Sequence, residues 1–72
     1  MHKRITSDPE ICGGDPCIKD TRIPVHTILS HLAAGDDNNT VLENFPRLSI
    51  EDIKACLKYA SYLATEKEIA VL

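Results

Sequence analysis

No apolar run in these 72 residues comes near the roughly 20 needed to cross a bilayer. There is neither a basic N-terminal region leading into an apolar segment nor a lipidation signal, so the chain is expected to be cytoplasmic, with no membrane partner. Cys12, Cys17 and Cys56 lack the close Cys-x-x-Cys spacing of zinc sites. His26 and His31 are five apart, which a helix turns off a common face, so no metal set is expected. No glycine-rich phosphate loop precedes a helix, and no order of Ser, His and carboxylate suggests a nucleophile and its base. The chain is therefore expected not to be an enzyme, with no catalytic residue and no cofactor. Missing as well is a basic excess: the formal charge is −3, and residues 36–72 carry seven acidic against four basic side chains. Any DNA binding must then be argued from shape.

What is present is organised around residues 13–25, which separate a polar, turn-rich part from a helical part. Arg4-Ile5-Thr6 is β-prone and precedes Ser7-Asp8-Pro9, a turn, so an edge strand open to pairing with a second copy is expected there. Gly13-Gly14 and Pro16 then suit a hairpin of about 10–12 with 17–19. Pro24 is expected at the first helical position, where its missing N–H costs nothing.

Helix one is expected from Pro24 to Ala34, burying Val25, Ile28, Leu29 and Leu32 and ending at Gly35 in a left-handed cap. Asp37 is placed to cap a short second helix stopped by Pro46. Ser49 and Asp52 form a near-variant of the capping box at the start of helix three, whose core stripe reads Ile50, Ile53, Cys56, Leu57, Ala60, Leu63 and Ala64. Its outward face would show Glu51, Lys54, Ala55 and Lys58. The expected fold is an α-rich α+β domain: an N-terminal strand and β-hairpin over about 4–22, a three-helix, homeodomain-like helix-turn-helix bundle over about 24–65, and a flexible tail over 66–72. One domain fills the chain, and a core this small typically supplies only about 3–5 kcal/mol, so a homodimer is expected through the strand region or the long helix.

Candidate contact residues follow from this layout. Arg47, Lys54 and Lys58 are placed to touch phosphates or a base edge, though Glu51 among them would repel the backbone. Arg22, between hairpin and helix, can bridge carboxylates or carbonyls, either within the fold or on a partner. Tyr62, Ile69, Val71 and Leu72 exceed what a small core can cover, which marks an interface.

Ile5, Asp8-Pro9, Ile11, Gly14, Pro16, Ile18, Thr21-Arg22-Ile23-Pro24-Val25, Gly35, Pro46, Leu48, Glu51, Asp52 and Ile53 together carry a pattern over roughly 5–60. On these residues the chain resembles domain-of-unknown-function family 433, small bacterial proteins read as VapB-like antitoxins. It departs from the family pattern at Asp15, where a basic residue is usual, and at Asp20, where a glycine is usual. The resemblance implies the antitoxin half of a type II toxin-antitoxin pair, which would hold a PIN-like ribonuclease toxin inactive and bind operator DNA to repress its own operon. The alternative is a stand-alone helix-turn-helix transcriptional regulator without a toxin, a reading that the acidic balance weakens.

Overall fold

A computed structural model describes residues 3–66. Two antiparallel strands, β1 (Ile5–Asp8) and β2 (Ile11–Ile18), lead into three helices, α1 (Val25–Ala33), α2 (Asn38–Asn44) and α3 (Ile50–Glu66). This is the expected hairpin followed by a three-helix unit. The expectation of a single domain over 1–72 extends to residues outside those described, as does the tail over 66–72 apart from the backbone of Glu66.

The hairpin is not where Gly13-Gly14 suggested. The chain reverses at Pro9-Glu10, because the Asp8 carboxylate accepts the Glu10 N–H at 2.9 Å and builds the turn there. The segment expected as a separate edge strand is thus the hairpin's first arm. The pairs run Ile5 with Ile18, Thr6 with Cys17 and Ser7 with Pro16, then jump to Asp8 with Ile11. Residues 12–15 form a large bulge, in which Cys12, Gly13 and Gly14 all have positive φ, at 54°, 64° and 91°. Two glycines in succession make that backbone accessible, and the Ser7 hydroxyl pins it by donating to the Gly14 carbonyl at 2.7 Å.

After β2 the chain turns at Asp20, whose φ of 64° an Asp tolerates better than most residues. The Thr21 hydroxyl donates to the Ile18 carbonyl at 2.7 Å and accepts the Ile23 N–H at 3.0 Å, clamping the turn from inside. Pro24 then bridges back to Cys17, which holds it extended at ψ 146°. Pro24 is therefore the N-cap, and the helix begins at Val25 instead of at the proline. At the other end, Gly35 N–H bonds to Leu32 and Asp36 N–H to His31, a Schellman pair made possible by the Gly35 φ of 104°. Asp37 caps α2 through Thr40 N–H at 2.9 Å.

The core joins Ile5 and Ile18 of the sheet to Ile28, Val41, Ile53 and Cys56 of the helices. Each such large side chain contributes roughly 1.5–3 kcal/mol on burial, so a core this thin depends on a few residues. The buried face of α3 is narrower than expected and turned: Asp52, Ile53, Ala55 and Cys56 are buried, whereas Ile50, Leu57 and Leu63 are 36%, 48% and 38% exposed. Ala55, expected outward, faces inward because its small side chain lets α3 lie against β1.

Asp52 explains the turn of the helix. Its Oδ2 accepts the Ser49 N–H at 2.9 Å, the reciprocal arm of a capping box, while its Oδ1 accepts from Arg4 Nη1 at 3.0 Å. One carboxylate thus caps α3 and ties it to the entrance of β1. We expect Asp52→Ala to cost about 1–3 kcal/mol by leaving the Ser49 N–H and the Arg4 guanidinium without their acceptor. Gly14→Val should cost about 2 kcal/mol through its left-handed backbone, a fall of roughly 10 °C in Tm on a circular dichroism melt.

Candidate functional site

Along α3, each residue advances about 100° around the axis, so positions four apart form a ridge. Lys54, Lys58 and Tyr62 are such a ridge, and all three are exposed. With Glu51 and Tyr59 they form one wall of a groove of about 840 Å³ whose opposite wall is Lys3 and Arg4. The Arg4–Asp52 bond holds the two walls together at the base. Of these cations only Arg4 has a carboxylate partner among the described residues.

A second, smaller groove of about 500 Å³ lies at the end of the sheet and gathers Lys19, Arg22 and Arg47 beside Thr6 and Thr21. Here the expected roles of the two arginines separate. Arg47 is exposed but directs Nη2 at the Asp20 carbonyl, 3.1 Å away, tying the turn before α3 to the turn after β2. Arg22, expected as a bridge, is exposed and makes no hydrogen bond or ion pair among the described residues. One lining residue of each groove is linked through the backbone, the Lys19 N–H donating to the Arg4 carbonyl at 2.8 Å. Among the described side chains all seven lysines and arginines line one groove or the other, against two of nine carboxylates, Glu51 and Asp20.

Sequence reasoning found Lys54 and Lys58 but not Lys3, Arg4 or Lys19. Residues 1–35 hold four basic and four acidic side chains, and only the fold sorts them onto different faces. Of the expected partner residues, Tyr62 is 59% exposed within the first groove, while Ile69, Val71 and Leu72 lie outside the described residues. A further apolar flank was not anticipated: Ile50, Leu57 and Ala64 recur every seven residues along a strip of α3 next to the Lys54 ridge, all exposed.

The cysteines serve the fold. Cys17 is fully buried beneath the Thr21 clamp, its Sγ 3.8 Å from the Thr21 carbonyl; burial, and then a hydrogen bond with Cys12, push its thiol up to about 11. Cys56 is also pushed up to about 11, by burial and then by the charge of Asp52. Among the described residues no group of His, Cys, Asp and Glu is arranged to hold a metal. Nor is any helix among them long and apolar enough to cross a membrane.

A hairpin and three helices carrying two basic grooves and an exposed apolar flank make up the described residues. The chain belongs to the family described as protein of unknown function (DUF433), whose model matches residues 5–60. It is 39% identical over 56 residues to "Uncharacterized protein y4eO" of Sinorhizobium fredii (strain NBRC 101917 / NGR234), covering 78% of this chain and a quarter, 25%, of that protein. The crystal structure of a DUF433 member protein from Anabaena variabilis ATCC 29413 superposes with a TM-score of 0.82 at 32% identity, over 90% of this chain and 64% of that one.

The thiol environments give a direct test. With a disulfide-exchange reagent at about pH 8, Cys12 should react readily in the native protein, while Cys17 and Cys56, with only about a thousandth of each as thiolate, should react only on unfolding.

Proposed function

We propose that the protein is a cytoplasmic antitoxin of a type II toxin-antitoxin pair, binding and neutralising a PIN-like ribonuclease and acting also on its own operon. The observation that carries this reading is the C-terminal half of α3. The helix runs on to Glu66, yet Leu57 and Leu63 are exposed at 48% and 38%, and every described side chain from Ser61 to Thr65 is exposed. An apolar flank of Ile50, Leu57 and Ala64 at heptad spacing is the form in which a helix enters a partner's groove. Covering it offsets the small yield of the thin core, and the family resemblance supplies the nature of the partner. Leu57 and Ile50 are the anchors of this contact, with Ile69, Val71 and Leu72 extending it.

A homodimer fits the same surface economy through β1, the edge of a two-stranded sheet, whose outward N–H and C=O groups can pair with a second copy. That leaves the apolar flank of α3 to the toxin. A stand-alone regulator would need neither an unpaired apolar flank nor a neighbouring nuclease gene.

Leu57→Asp and Ile50→Asp, introduced together, should leave the melting curve close to wild type, because both side chains are already exposed. They should abolish co-purification with, and neutralisation of, a PIN-like ribonuclease sought in the neighbouring open reading frame. Retained neutralisation would place the contact elsewhere. Sedimentation at micromolar concentration should show twice the 8.0 kDa mass of one chain. A single 8.0 kDa species with a melt independent of concentration would remove the dimer.

A further inference from the structure

We infer that the groove between Lys3–Arg4 and α3 binds single-stranded nucleic acid, its phosphates on Lys3, Lys54 and Lys58 and a base stacked on Tyr62. This goes beyond the antitoxin reading and rests on the strip of α3 next to the apolar flank. Three observations lead to it. Lys3, Lys54 and Lys58 are exposed and have no carboxylate partner among the described residues, so they are available to phosphates, while Arg4 is already neutralised by Asp52. Tyr62, one helical turn beyond Lys58 on the same ridge, presents an exposed aromatic face in line with the cations, and Tyr59 backs it from a half-buried position. A positive groove with an aromatic platform is the combination that holds unpaired bases without reading their sequence.

The third observation concerns shape. To read a duplex, a helix must project so that the major groove can receive it. Lys54 and Lys58 instead line a concavity of about 840 Å³ together with Lys3 and Arg4 from the start of the sheet, so the cations converge on a hollow and not on a projecting helix face. Arg47, the cation in the turn before α3, is held by the Asp20 carbonyl. Glu51 is the one carboxylate that lines this groove among the described residues; it opposes phosphate and weakens the site without closing it.

The test is fluorescence anisotropy with a labelled oligo-deoxythymidine of about 15 nucleotides, set against a duplex of equal length. Three phosphate contacts on a single strand predict a loss of about twentyfold in affinity between about 50 and about 200 mM salt. Lys54→Ala and Lys58→Ala should each weaken binding and flatten that dependence, and Glu51→Gln should strengthen it. Tyr62→Ala should weaken binding at least about fivefold and Tyr62→Phe should restore it, since stacking needs the ring and not the hydroxyl. Leu57→Asn, which removes the apolar anchor without adding charge, should leave it unchanged, which separates this site from the toxin contact. Duplex bound as tightly as the single strand would overturn the inference, as would Tyr62→Ala binding like wild type. Displacement by oligo-glutamate at matched charge would mean that the groove takes an acidic peptide instead.

Discussion

Asp52 is the constraint on which the rest of the molecule depends. A buried carboxylate needs partners, and here they come from opposite ends of the domain: the Ser49 N–H at the start of α3 and the Arg4 guanidinium at the start of β1, 48 residues away. Satisfying both fixes the rotation of α3 about its axis. That rotation decides which residues enter the core, which line the groove with Lys3, and which are left on the apolar flank.

How far the fold could be read from the chain depends on the range of the interaction. The Gly35 cap, the Asp37 cap and the Ser49–Asp52 pairing are all written within a few residues; the first two stand as expected, while in the third the Asp52 carboxylate accepts from the Ser49 N–H and hydroxyl and the Ser49 hydroxyl accepts no N–H from the first turn. The hairpin was misplaced because Ser7-Asp8-Pro9 and Gly13-Gly14 are both turn signals. Nothing local says that the first closes the hairpin while the second becomes a bulge; the choice is made by Ile5 and Ile18 meeting in the core. Ile50, Leu57 and Leu63 looked like core residues because apolar spacing gives a stripe but not its width. With two short helices and β1 to cover it, α3 buries a narrow face. The site was legible only in part for a related reason: Lys54 and Lys58 share a helix, whereas Lys3, Arg4 and Lys19 join them only through tertiary contact.

The division of charge shows what a net value conceals. At −3 overall the chain has no basic excess, yet among the described residues the cations line two grooves while most carboxylates lie elsewhere. Electrostatic potential at a surface is set by neighbours within about a Debye length, roughly 8 Å under physiological salt, and not by the total. An acidic protein can therefore present a locally cationic cleft, and its overall charge limits nonspecific adhesion along the rest of its surface.

The unsupported end of α3 also bears on the lifetime of the protein. A helix whose last described side chains, Ser61 to Thr65, are all exposed exchanges its amide hydrogens through local fraying, at a free-energy cost far below that of global unfolding. Such a segment is the natural point of entry for a degrading protease, and a partner seated on it closes that entry. The quantity of free chain would then follow the quantity of partner, with occupancy of the helix acting as the clock.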